Sequence, residues 1–243
     1  MRSHGRGRRR WLIAGALPLS AVAVVVAVQP LWAFAGLARL FPGIVWRVPT
    51  SAPLVALTFD DGPAPDHTPE LLRILETQEA RATFFLIGER ADAHPELVES
   101  IRAGGHEVAN HYSDESSLLG VSDDELTARL LETEATLRLG GVRKLFRPPG
   151  GRILPGQVDL LRSHGYLCVL GSAYPWDAAH PPAWYIRWLI TKNLAPGVIV
   201  ILHDGIDDPS RSLAALPAIL EAGRERGLRF VTVGALLDAA EAG

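Results

Sequence analysis

The sequence has almost no cysteine: Cys168 is the only one among 243 residues. One thiol can form neither an intramolecular disulfide nor a thiolate metal cluster, which rules out a disulfide scaffold and a zinc finger. Its place in the apolar run YLCVLG marks it as a small core residue. Acids are absent from the first 50 residues, which hold seven Arg and no Lys. The remainder carries 17 basic against 27 acidic residues, a balance of −10, and a net-acidic body argues against nucleic acid as a partner. Internal repeats and low-complexity tracts are also missing, and the composition, 48% apolar and 21% charged, suits one globular body rather than a disordered chain.

The N-terminus is distinctive. Five residues, RGRRR at 6–10, precede WLIAGALPLSAVAVVVAVQPLWAFAGL at 11–37, and the unbroken apolar run from Trp11 to Val28 is 18 residues long. That is near the roughly 20 residues needed to cross a bilayer and longer than the apolar core of most signal peptides. The expected organisation is a basic cytoplasmic tail at 1–10, a transmembrane signal-anchor at 11–37, a linker at 38–52 and a folded body at 53–243. Arginines stay inside, so the body is expected outside a cell membrane that the chain spans once. Ala33-Phe34-Ala35 could also be cut, which would give a secreted protein.

Strand and helix signals alternate through the body. Short β-branched or aromatic runs lie at 54–59, 82–87, 165–170, 198–202 and 229–233, with shorter candidates at 106–109 and 144–146. Helical patterns occupy 68–77, 89–103, 123–138, 155–164, 182–194 and 213–226. In the third, Ser122 and Glu125 read as a capping box, and Leu126, Leu130, Leu131 and Leu137 as an apolar face. This alternation predicts an α/β fold: a distorted, incomplete (β/α) barrel of about seven parallel strands.

In such barrels chemistry gathers where strands end. Here the exits read TFDDGP (58–63), NHYSDES (110–116), FRPPGG (146–151), GSAYPWDAAH (171–180) and LHDG (202–205). Each alone is weak, since a DDG turn is more often a solvated turn and a lone histidine more often structural. Together they place acids, histidines and one arginine at the same end of the sheet.

TFDDGP, GHEVANH, FRPPGG and ILHDG, in this order and spacing, resemble the polysaccharide deacetylase family, which includes chitin, peptidoglycan and nodulation-type chitooligosaccharide deacetylases. The likeness runs over about residues 54–235, helped by ATFFLIGERA and RFVTVGALL. It implies a metal-dependent hydrolase that removes acetyl groups from N-acetylated sugars of a cell-envelope or exported polysaccharide. It also implies roles: Asp60 as general base, Asp61 and His111 as ligands of one divalent ion (Zn, Co or Mn), Arg147 as the clamp on Asp60, His203 as general acid and Asp177 as its orienting partner. Pro149, Gly150, Trp176 and Leu202 would line the substrate site, Gly150 through its backbone N–H.

The pattern departs from the family at one ligand. The family presents two histidines four residues apart; here the second position is Glu115, with Asp114 as the neighbouring alternative and, as a third, neither residue, with water taking the ligand position. Glu is a competent ligand, and two carboxylates would favour harder ions such as Mn or Co. Two other readings use the same residues: a sugar-binding pseudoenzyme with an impaired metal site, and an esterase for O-acetyl groups. His106 reads as a structural strand residue.

Overall fold

The computed structural model describes Val25, residues 27–141 and residues 143–243. Among them, strands β1 (Ile44–Val45), β2 (Leu54–Gly62), β3 (Thr83–Leu86), β4 (Glu107–Asn110), β5 (Lys144–Phe146), β6 (Tyr166–Val169), β7 (Ile199–His203) and β8 (Arg229–Val231) form a single parallel sheet. Its order is β1-β6-β5-β4-β3-β2-β7, with β8 beside the first residues of β2. The helices are α1 (Leu31–Leu40), α2 (Thr68–Thr77), α3 (Gly88–Ala93), α4 (Pro95–Ala103), α5 (Asp123–Thr136), α6 (Pro155–Ser163), α7 (Ala183–Asn193), α8 (Ser210–Glu225) and α9 (Val233–Glu241).

Alternation along the strands separates two apolar layers. Leu57 and Phe59 of β2, with Val200 and Leu202 of β7, pack beneath helices against Leu216 and Leu220 of α8. Ala56, Phe85, Ala109 and Ile199 point the other way and fill the barrel interior, where Val233 and Leu236 of α9 join them. The seam is made by irregular chain. After β6, Leu170 N–H donates to Val45 O at 2.9 Å, and Ala173 bridges Val200 of β7. The parallel distorted barrel is therefore as expected, with eight strands where about seven were read.

Several boundaries differ from expectation. The region read as a linker, 38–52, contains the end of α1 and all of β1, which pairs Ile44 with Cys168 and Val45 with Val169. A two-residue strand among Pro42, Gly43 and Pro49 carries no periodic signal. The helix expected over 89–103 is two helices, because Pro95 disfavours the α conformation at His94, whose φ and ψ are −135° and 58°. In α5, Ser122 Oγ accepts from Glu125 N–H, but Leu131 is exposed while Leu126, Leu130, Thr133 and Leu137 are buried. Leu131 lies one residue past the inward stripe, about 100° around the helix.

Most of the anchor expected at 11–37, residues 11–24 and 26, lies outside the described residues, as does the tail at 1–10. The described part is not one continuous helix: it breaks at Gln29, which has φ 50°, and Pro30. Gln29 is buried, with Oε1 accepting from Tyr174 N–H at 2.7 Å and Nε2 donating to Tyr174 O. Residues 29–37 thus belong to the folded body. Among the described residues no helix is long and apolar enough to cross a membrane.

Candidate active site

Two consecutive acids on a strand point to opposite faces unless the strand bends. β2 bends here. Its register with β3 shifts between Asp60 and Gly62, and Asp61 takes φ 69°, turning its carboxylate back toward the interior. The Gly62–Pro63 peptide is cis. A side chain at Gly62 would meet Asp204, and one at Gly205 would lie 2.0 Å from Asp61 O, so the β2 and β7 exits approach each other only because both positions are glycine.

Asp60 is buried and clamped. Arg147 Nη1 donates to Asp60 Oδ1 at 2.5 Å and to Thr58 Oγ1 at 2.7 Å. The rest of that guanidinium donates to Val169 O and Leu170 O, and it lies 4.0 Å over the Phe85 ring. With every donor face engaged, Arg147 cannot swing away from Asp60. The strand-exit motif FRPPGG therefore delivers a fixed cation to the interior from β5.

At the β7 exit, His203 Nδ1 lies 2.8 Å from Asp177 Oδ1, while His203 N–H and Ser212 Oγ donate to Asp177 Oδ2, each at 2.9 Å. Burial alone would lower the His203 pKa, but the Asp177 carboxylate outweighs it, with further help from Asp60 and Asp61, and raises it to about 9. The imidazole is therefore held as a protonated acid. Asp177 and Tyr174, whose ring lies 5.9 Å from that of His203, come from the connection after β6, and Ser212 comes from α8.

Asp61 Oδ1 lies 3.1 Å from His111 Nε2, and His111 Nδ1 lies 2.7 Å from Arg147 O. A carbonyl only accepts, so Nδ1 donates to it, which leaves Nε2 as the ring atom that faces Asp61. Burial works to raise the Asp61 carboxyl, yet the hydrogen bond and charge of His111 hold it below the usual range. A carboxylate oxygen and an imidazole nitrogen facing each other, with the imidazole fixed from behind, are a donor set that fits a divalent cation taking the place of the proton between them.

Glu115 does not join this pair. Its carboxylate is bound by Arg90 and its side chain is 62% exposed. Asp114 is likewise held by Arg129. Among the described residues no third His, Cys, Asp or Glu gathers with Asp61 and His111. Arg90 also donates to Asp61 O at 2.6 Å and to Gly205 O, so it ties the β2 exit, the β7 exit and the loop after β4 together. It sits in the ATFFLIGERA stretch, the only sequence signal that marked it.

These groups open into one cleft of about 540 Å³, lined by Asp60, Asp61, His111, Arg147 and His203 among others. Trp176 lines it and is 43% exposed. Gly150 lines it in a left-handed conformation, φ 62°. Two expected wall residues do not. Leu202 is buried beneath the helices, and its neighbour Ile201 takes the wall position, because strand alternation gives the interior to 199, 201 and 203. Pro149 is buried behind the wall, which Pro148 forms instead. Residues not anticipated are Thr58, Ser212, Tyr174 and Arg90. His106 is structural: Ala82 N–H donates to its Nδ1 at 3.2 Å, and burial, with a smaller contribution from Arg81, lowers its pKa to about 4.

Residues 47–169 match the family model described as polysaccharide deacetylase. The chain is 39% identical over 197 residues to a peptidoglycan-N-acetylglucosamine deacetylase of Bacillus cereus, covering 80% of this chain and 92% of that one. It is 34% identical over 195 residues to a chitooligosaccharide deacetylase of Sinorhizobium fredii, covering 74% and 90%. A crystal structure of a peptidoglycan N-acetylglucosamine deacetylase in complex with 4-naphthalen-1-yl-N-oxidanyl-benzamide superposes with a TM-score of 0.77 at 32% identity, covering 81% of this chain and 93% of that one. With half the chain under the family model and these relatives matched almost end to end, the chain belongs to the polysaccharide deacetylase family.

Proposed function

We propose that the protein hydrolyses the acetamide of N-acetylated amino sugars, of the kind found in peptidoglycan or chitooligosaccharides, releasing acetate and a free amine. The observation that carries this reading is the convergence of a clamped carboxylate, Asp60, and a protonated acid, His203, on one cleft. Water attacking an amide must lose a proton, and Asp60 takes it, held in place by the guanidinium of Arg147. The amine departs only if its nitrogen gains a proton. His203 supplies it from Nε2, since Asp177 occupies Nδ1. Trp176 walls the space for the acetyl methyl, and the Gly150 N–H is the donor we assign to the carbonyl oxygen. Asp61 and His111 would hold one divalent ion, Zn, Co or Mn, which when bound supplies positive charge to polarise the carbonyl and acidify water.

Acetate release from N-acetylglucosamine oligomers and from peptidoglycan, followed with the full chain before and after chelation, tests the reading. Release that chelator stops and added ion restores is expected. The engagement of both Glu115 and Asp114 by arginines favours a second reading, a sugar-binding pseudoenzyme with a weak metal site. Sugar binding without acetate release under any divalent ion would establish it. Faster release from O-acetylated xylan than from N-acetyl sugars would instead make the protein an esterase.

We place the body outside a cell membrane, on the strength of the arginines at 6–10 and the apolar run that follows. Protease added to intact cells is expected to digest it, and protection would reverse the orientation.

A further inference from the structure

The cleft has two unlike parts. The acids, histidines and Arg147 make up one. The other is walled by a segment that precedes the family-matched region, contributing Ala33, Phe34, Leu37 and Trp46, together with Leu170 and Ile201 from the barrel. Two polar groups belong to the segment that makes this wall: the Gln29 amide, with both ends engaged by the Tyr174 backbone, and the indole N–H of Trp46, which is itself buried. Phe34 and Trp46 pack against each other with ring centroids 6.2 Å apart. The clasp at Gln29 fixes the wall over the reaction centre, so whatever binds there is continuous with the bond being cut.

Sugar hydroxyls taken from water need hydrogen-bond partners, and leaving one unpaired costs affinity. Aromatic faces tolerate the C–H face of a sugar ring. Ala33, Leu37, Leu170 and Ile201 offer neither a ring nor a donor, and favour only apolar groups. We propose that this wall is a subsite for an aliphatic chain, so that the preferred substrate is an amphiphile: an N-acetylated amino sugar carrying a hydrocarbon chain on the sugar. The proposal rests on the deacetylase reading for its chemistry but not for its binding.

The test compares N,N′-diacetylchitobiose with its octyl β-glycoside on the full chain. Each methylene taken out of water raises affinity about fourfold, so two or three buried methylenes make the octyl compound at least about tenfold better in kcat/KM, mainly through KM. Leu37→Asp and Ala33→Trp, one placing charge in the wall and one filling it, are expected to cut that ratio of kcat/KM several-fold. Calorimetric binding of both compounds to chelator-treated protein should show the same preference. Equal kcat/KM and equal binding for the two compounds would overturn the proposal. So would variants that affect both equally, or a preference for N-octanoyl over N-acetyl sugars in place of the octyl glycoside. If no acetate is released from anything, the deacetylase reading fails, and the calorimetric comparison alone still decides whether the subsite takes an aliphatic chain.

Discussion

His203 Nδ1 and Asp177 Oδ1 stand 2.8 Å apart, and Asp177 is buried with its other oxygen also filled by two donors. The carboxylate is thus held at both oxygens, and the His203 imidazolium is the cation paired with it. The His203 pKa of about 9 stands above the unfolded value of about 6.5, so the pair's contribution to stability is fully present below pH 6.5 and fades as pH rises through about 9. Asp177→Asn is expected to move the alkaline limb of the kcat/KM profile downward by a unit or more, read from pH–rate curves. An unmoved limb would show that His203 is not the group titrating.

Asp60→Asn keeps the shape of the clamped side chain but removes the acceptor of the water proton. It is expected to lower kcat by about 10²–10⁴-fold and, because Arg147 keeps a hydrogen-bond acceptor but loses its counter-charge, to lower the melting temperature less than removal of Arg147 does. Arg147→Ala leaves Asp60 buried without its cation, which costs about 3–5 kcal/mol, and its signature is a lower melting temperature as well as lost activity. Thermal unfolding of the two variants side by side separates chemistry from folding.

The arginine contacts set an order among the candidate ligands. His111→Ala should weaken metal binding by more than about tenfold, because it removes one of two facing donors. Glu115→Ala should change it by less than about threefold. Titration of metal-free protein with Zn, Co and Mn reads both. An equal loss in the two variants would mean that Glu115 leaves Arg90 when the ion arrives.

A chain beginning at residue 48 lacks β1, α1 and the Gln29 clasp, and so leaves β6 with a bare edge and the cleft with one wall missing. It is expected to melt at a lower temperature than the full chain and to be more prone to self-association. Scanning calorimetry and light scattering check both.

Much of the site was legible because its residues cluster at strand exits, where TFDDGP, FRPPGG and LHDG break the apolar runs. The bend that lets Asp60 and Asp61 share a site was readable from the Gly-Pro that follows them. What was not legible depended on partners distant in sequence. Glu115 stands at ligand spacing from His111, but Arg90, 25 residues earlier, binds it, and spacing along a chain says nothing about such competition. The family resemblance makes Leu202 a wall residue, whereas the pleat gives the wall to Ile201. The segment 29–46 hid its role because its contacts with Tyr174 and β6 lie more than a hundred residues away.

The stretch from Leu170 to Ala173 joins β1 to β7 and leads directly into Tyr174, Trp176 and Asp177. Closure of the barrel and alignment of the proton donor are thus mechanically one event. An insertion here would open the seam and misdirect the acid together. Tolerance to insertion should therefore be lowest in a stretch that has no regular secondary structure at all.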